Sequence, residues 1–181
     1  MAESKYNGEI LALDVATVTG WCYGRPGDIP RCGHLRFGKV GGERAAAYRE
    51  LRTWLTDFAT VSRVKLMVYE SAAIPMVMQG KTNADTIKKL IGLVEHIEEW
   101  AYGRVELREA SVQQVRAHFL GSNRYKSDQA KQMTFDRCCA NGWPVTTKDE
   151  SDACALWSYQ VACIRPDIAA KMTPLFYSNR N

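Results

Sequence analysis

The chain has 181 residues, of which 46% are hydrophobic and 24% charged, and its net charge is +4. The composition is that of an ordinary globular protein. The length is sufficient for one sizeable core. No apolar run approaches the roughly 18 residues that a membrane span requires, which excludes a membrane-spanning protein. The mild excess of basic residues is compatible with a polyanionic partner but does not require one.

The N-terminal residues lack the apolar core of a signal peptide, so we expect a cytoplasmic protein. The cysteines show no CxxC spacing, and we expect buried, reduced thiols; they are Cys22, Cys32, Cys138, Cys139, Cys154 and Cys163. Three histidines have no acidic or thiol ligand pattern nearby in the sequence, and we interpret them as surface or packing residues; they are His34, His96 and His118.

The first part of the chain predicts an antiparallel meander. Residues 9–16 are apolar almost throughout, which is typical of a strand buried on both faces. Residues 16–20 turn the chain into a second strand around residues 21–23. A loop over residues 24–30 then leads to a third strand around residues 33–37.

Helices and strands alternate in the rest of the chain. Apolar residues keep helical spacing in the helical segments, and Ser111 can serve as a helix N-cap. In order, we predict a helix over 43–59, a strand over 64–69, a loop over 71–82, a helix over 84–101, a strand over 105–107, a helix from Ser111 through Phe119 and a helix over 126–140.

The last predicted helix has the clearest beginning. Thr147 and Glu150 fit a capping box, with Thr147 as N-cap and Glu150 at the third helical position. The element order predicts an α/β domain with a mixed five-stranded sheet flanked by helices. We expect a single domain over residues 1–181, with a core of about 9–163 and a short C-terminal tail at 164–181.

Four acidic residues lie where burial would be costly. Asp14 interrupts the first apolar strand, and Glu70 ends the fourth strand. Asp149 and Asp152 share one face of the first turns of the last helix, where the helix dipole also favours acidic side chains. An apolar helix face follows Asp152, however, so we expect Asp152 to point toward the core. A buried carboxylate needs compensation for its charge, and a divalent metal ion suits several converging carboxylates. The pattern favours metal-dependent chemistry.

This order of acids resembles the RuvC family of Holliday junction resolvases, within the ribonuclease H-like superfamily. The family has an aspartate in the first strand, a glutamate at the end of a later strand and a DxxD pair opening the final helix. The resemblance spans roughly residues 9–163. Further similarity lies in segments 18–21, 83–90, 115–121, 129–133 and 149–153 and at Lys126.

The chain departs from the family pattern at three places. Ala16 stands where the family has a glycine in the turn after the first aspartate. No aromatic wedge follows Glu70, and the apolar Met76, Val77 and Met78 are alternatives for that role, although packing in the core or at a dimer contact is an equal interpretation. Arg116 occupies the position that is usually lysine.

The resemblance implies a Mg²⁺-dependent endonuclease that cuts branched DNA. Two Mg²⁺ ions about 4 Å apart, for which Mn²⁺ should substitute, would relieve the repulsion among the four carboxylates and bridge the scissile phosphate. Asp14, Glu70, Asp149 and Asp152 would be the ligands. Lys126 is the leading candidate for a contact to phosphate or to the transition state.

The resemblance also implies four-way junction DNA and a second copy of the chain as partners. A homodimer would supply two sites for paired nicks in a two-fold symmetric junction, with the 84–101 helix as a candidate contact. The host would be a bacterium or a phage, with an organelle also open. The candidate DNA-binding residues are Arg116, Arg124, Lys126, Lys131, Lys81, Lys88 and Lys89.

Three other functions remain open from the sequence. An actin-like ATP phosphotransferase also begins with an aspartate-bearing strand, but this chain is short for two lobes and shows no second phosphate-binding loop. A non-catalytic branched-DNA-binding module is disfavoured because acids near phosphates weaken binding. A ribonuclease H-like nuclease acting on RNA or RNA–DNA hybrids would use the same metal chemistry.

Overall fold

A mixed five-stranded sheet forms the centre of the protein. The computed structural model describes residues 6–39, 41–71 and 84–172. The strands are β1 (Glu9–Asp14), β2 (Thr19–Gly24), β3 (Arg31–Leu35), β4 (Val64–Glu70) and β5 (Glu106–Ala110). They lie in the order β3-β2-β1-β4-β5. The pairs β1–β2 and β2–β3 are antiparallel, whereas the pairs β1–β4 and β4–β5 are parallel. The predicted meander and the predicted mixed sheet are confirmed.

Helices cover both faces of this sheet. They are α1 (Arg44–Val61), α2 (Ala84–Ala101), α3 (Val112–Leu120), α4 (Ser127–Ala140), α5 (Lys148–Ile164) and α6 (Pro166–Met172). Alternate residues of a strand point to opposite faces, so Leu11 and Leu13 pack with α1 and α2. Ile10 and Ala12 pack with α3, α4 and α5 on the other side.

Two predicted helix caps are confirmed. Ser111 caps α3 and Thr147 caps α5, each within a complete capping box. The predicted tail contains the short helix α6. Pro166 begins that helix, at the position where the missing N–H of proline leaves no hydrogen bond unmade.

The cysteines differ in burial. All six thiols are free; Cys22, Cys138 and Cys154 are buried, whereas Cys139 and Cys163 are exposed. The expectation of buried thiols therefore holds for only part of the set. Within the described ranges, no helix is both long and apolar enough to cross a bilayer.

One row of residues across the sheet supports the first turn of α5. Asp14 is the register partner of Gly20, and Gly20 is the register partner of His34. A Cβ atom added at Gly20 would lie less than 3.0 Å from the backbone oxygen of Asp149, so only glycine lets the helix come this close. The turn of α5 therefore rests directly on β2.

We predict that Gly20→Ala destabilises the protein by about 2–3 kcal/mol, because the new methyl group must push α5 away from the sheet. Urea denaturation measures the change in unfolding free energy. Gly42→Ala is the control, since its added Cβ would meet its nearest atom at 3.3 Å. Equal stability of the two variants would contradict the close approach.

Candidate active site

Carboxylates from three distant parts of the chain converge at one end of the sheet. Leu13 on β1 pairs with Tyr69 on parallel β4, so the next residues, Asp14 and Glu70, are neighbours at the carboxyl ends of these strands. Asp14, Glu70 and Asp152 line a cavity of about 160 Å³. Asp149 lies within electrostatic range of Asp14 and Asp152. The strands and α5 thus bring the four predicted acids into one region.

Two basic side chains share this cavity with the acids. Arg116 reaches it from α3 and Lys131 from α4. The Nζ atom of Lys131 lies 3.4 Å from Oδ2 of Asp152, and both side chains are partly shielded from water. A cavity lined by both acidic and basic groups can hold an anion such as a phosphate near its counter-charges.

Burial and mutual repulsion raise the pKa values of the acids. Burial is the largest cause for Asp14, whose pKa is well above its ordinary range, and the charges of Glu70 and Asp152 add to it. Burial and then Asp152 raise the pKa of Glu70 to about 7. Burial also raises the pKa of Asp152, against the opposing effect of Lys131. When all the carboxylates are ionised, the positive charge of the surrounding side chains is therefore too small to compensate them.

The donor set fits a hard divalent cation. Under-compensated carboxylate oxygens beside a polar cavity are the ligands that Mg²⁺ prefers. In the part of the chain that the structure describes, no three acidic, histidine or cysteine side chains are already grouped tightly enough to hold one ion. Lys131 instead supplies part of the counter-charge. Burial alone would lower the pKa of Lys131, but the charges of Asp152 and Asp14 outweigh it and raise that pKa above its ordinary value.

A fifth carboxylate, Glu150, lies between the two aspartates in the sequence of α5, where the sequence indicates only a capping role. It is 5% exposed. It accepts hydrogen bonds from the backbone N–H groups of Thr146 and Thr147, and from Nδ1 of His34 at 2.8 Å. Burial would raise the pKa of Glu150, but these hydrogen bonds outweigh it and hold the pKa below its ordinary value. His34 is thus not an isolated histidine.

The predicted basic residues fall into different places. Arg116 and Lys131 line the cavity. Lys126 is the exposed N-cap residue of α4 and is not part of the cavity lining, and Arg124 is exposed in the loop before it. Lys131 therefore occupies the position beside the acids that the sequence favoured for Lys126.

The remaining predicted DNA-binding lysines lie away from the cavity or outside the described residues. Lys88 and Lys89 belong to α2, which packs on the opposite face of the sheet. Lys89 donates a hydrogen bond to the backbone oxygen of Phe37 at 2.6 Å, so its ammonium already has a structural partner. Lys81 and the alternative wedge residues 76–78 lie outside the described residues.

A larger cavity, of about 360 Å³, lies at the other end of the sheet and does not share these features. It is lined by Glu9, Tyr23 and Arg25 among others. Glu9 there accepts hydrogen bonds from Tyr23 and from Arg25, which already compensate its charge. The smaller cavity is the better candidate for chemistry because its acids are not compensated in this way.

Solved structures of RuvC and of a mitochondrial Holliday junction resolvase share this fold. RuvC from Thermus thermophilus superposes with a TM-score of 0.63 at 11% identity, covering 88% of this chain and 95% of that chain. The structure of the same organism's RuvC in complex with a Holliday junction substrate gives 0.63 at 8% identity over the same shares. The yeast mitochondrial Holliday junction resolvase gives 0.59 at 11% identity, covering 90% of this chain and 79% of that chain.

These likenesses establish the fold. No protein-family model and no curated protein sequence matches the chain. The predicted fold class, a ribonuclease H-like domain with a mixed five-stranded sheet, is therefore confirmed by the strand order and by the structural neighbours.

We predict that removing the charge of Glu70 stabilises the metal-free protein above neutral pH. The folded-state pKa of about 7 exceeds the ordinary 4.5, so the folded state holds the proton more tightly, and stability is lost as pH rises through this window. Glu70→Gln should gain about 3 kcal/mol near pH 8 and little near pH 4.

Urea denaturation in chelator at both pH values measures this gain. Glu95→Gln, which replaces an exposed carboxylate on α2, is the control and should leave the unfolding free energy nearly unchanged. A wild-type pH dependence that persists unaltered in Glu70→Gln would show that the carboxylate is not buried among like charges.

Proposed function

We propose that the protein is a Mg²⁺-dependent, structure-specific DNA endonuclease that resolves Holliday junctions or related branched DNA. The observation that carries the proposal is the convergence of Asp14, Glu70 and Asp152 on one cavity that also contains Lys131 and Arg116. The shared fold of two resolvases, one solved with a Holliday junction substrate, supports the choice of substrate.

Each side chain has a task in this proposal. Asp14, Glu70, Asp149 and Asp152 would hold two Mg²⁺ ions, which supply an activated water and stabilise the leaving oxygen when bound. Arg116 and Lys131 would contact the phosphate. They lie within electrostatic range of the acids. No side-chain nucleophile is needed.

The same metal chemistry supports a second candidate function, cleavage of RNA or RNA–DNA hybrids. The raised pKa values of Asp14 and Glu70 fit either substrate, because both reactions break a phosphodiester at a carboxylate site. A comparison of four-way, three-way, flap and hybrid substrates with Mg²⁺ separates the two. Preferred cutting of the hybrid would overturn the junction assignment.

A non-catalytic DNA-binding module is disfavoured by the site itself. Buried carboxylates that repel one another reduce folding stability and weaken binding to phosphates. A module that only binds DNA gains nothing from Asp14, Glu70 and Asp152 in one cavity. Binding of four-way DNA without Mg²⁺-dependent nicking under any condition would support the module instead.

We predict that Asp14→Asn and Asp152→Asn each lower junction cleavage by at least about a thousandfold while junction binding persists. Loss of one ligand removes several kcal/mol of charge stabilisation in the transition state, whereas the surface that contacts DNA is unchanged. Nicking and gel-shift assays on the same four-way DNA measure the two effects. Asp128→Asn, an exposed acid of α4, is the control. Near wild-type cutting by either variant contradicts the site.

We predict that Lys131→Met lowers the cleavage rate by about a hundredfold and that Lys126→Met lowers it much less. Lys131 reaches the cavity whereas Lys126 does not line it, and loss of one preorganised donor at a developing charge has about this effect. Single-turnover cleavage at saturating protein separates rate from binding. The reverse order would return the role to Lys126.

The proposal includes a homodimer, because paired nicks need two sites on a two-fold symmetric junction. Sedimentation at micromolar concentration, with and without four-way DNA, tests it. A monomer under both conditions would leave a single nick for each binding event and would contradict paired resolution.

A further inference from the structure

We propose that Glu150 and His34 are positioning residues that hold the first turn of α5 against β3 and thereby place Asp152 at the cavity and Asp149 near it. The inference rests on the proposed nuclease function, since it assigns both residues a task at the same site. Neither residue would touch the substrate or an ion.

Glu150 makes more contacts than a capping box requires. A capping box needs one bond from the side chain at the third helical position to the N-cap backbone. Glu150 accepts this bond from Thr147 at 3.2 Å and accepts further bonds from the backbone N–H and the hydroxyl of Thr146. The carboxylate therefore fixes the path of the chain into the helix as well as the helix end itself.

His34 connects this carboxylate to the sheet. Its Nδ1 lies 2.8 Å from Oε1 of Glu150, across 116 positions of sequence. His34 is in register with Gly20, on which the backbone of Asp149 rests, and Gly20 is in register with Asp14. The contact thus attaches α5 to the same sheet row that carries the first catalytic candidate.

The position of Glu150 in the helix couples it to both aspartates. It follows Asp149 directly and precedes Asp152 by two residues, so a shift of its carboxylate rotates or translates the turn that carries both. Groups that orient metal-binding side chains without touching the ion typically change affinity or activity by 10–100-fold when removed. Small displacements of reacting groups have comparable effects.

Four variants test the proposal in the full chain. Glu150→Ala removes every bond, whereas Glu150→Gln keeps an oxygen for the backbone N–H groups and offers an amide to the other tautomer of His34. His34→Ala removes only the connection to β3, and the side chain is 44% exposed, so no core cavity results. Arg25→Ala is the matched control, because it breaks an ion pair between a 54% exposed cation and the partly buried Glu9 at the far end of the sheet.

The first measurement needs no metal and no DNA. Amide hydrogen exchange in chelator should accelerate in the first turn of α5 in His34→Ala, by roughly tenfold, and more in Glu150→Ala. Glu150→Gln and Arg25→Ala should leave this turn as in the wild type. Unchanged exchange in both alanine variants would overturn the proposal.

The second measurement is single-turnover cleavage of four-way DNA at saturating protein over a range of Mg²⁺ concentrations. We expect the maximal rate to fall or the half-saturating Mg²⁺ concentration to rise by roughly tenfold in His34→Ala and a hundredfold in Glu150→Ala. Junction affinity should not change, and Glu150→Gln should restore the rate to within about threefold of the wild type.

The outcomes separate this inference from the proposed function. A wild-type protein that cuts no branched DNA would remove the nuclease function itself. A wild-type protein that cuts, with Asp14→Asn inactive and His34→Ala equal to Arg25→Ala, would keep the nuclease and overturn the positioning role. Loss of junction affinity rather than rate would also overturn it, because it would indicate a binding surface at His34.

Discussion

Repulsion between carboxylates that are shielded from water is the constraint on which this site depends. Asp14, Glu70 and Asp152 face one cavity, and burial together with their like charges raises their pKa values. Such a cluster lowers folding stability unless cations offset it. The structure offers Lys131 and Arg116 as partial compensation, which leaves a demand for further positive charge. In the proposed function, bound cations would supply this charge.

The sheet and its last helix satisfy this constraint by geometry. Parallel pairing of β1 and β4 places Asp14 beside Glu70, and the absent side chain of Gly20 lets α5 approach β2 closely. Glu150 accepts hydrogen bonds from the backbone N–H groups of Thr146 and Thr147 at the start of α5, and its carboxylate also bonds to His34. The acids of α5 are therefore held by the backbone contacts of the helix, and their own side chains remain available to face the cavity.

The sequence predicted the elements well wherever a local signal was strong. The capping residues Ser111 and Thr147 and the helix over 84–101 agree with the structure, since caps and helical spacing are local. The ends of β1 and β5 were less accurate, because pairing with neighbouring strands decides where a strand stops. The four acids could be proposed from the sequence because carboxylates contrast with apolar neighbours. Lysines carry no such contrast, so Lys126 and Lys131 could not be ranked without knowing which turn of α4 faces the cavity. The link between His34 and Glu150 left no signal, since it joins residues 116 positions apart.

The wide separation of the acids has a consequence during synthesis. Asp14 and Glu70 leave the ribosome early, whereas Asp152 follows only after most of the domain, and α5 must then pack on β1 and β2. A nascent chain therefore carries half of a pocket, with no helix to close it, and contacts of such long range are slow to form. Translation itself delays the moment at which the pocket can exist, so the proposed nuclease activity would arise only once the chain is nearly complete.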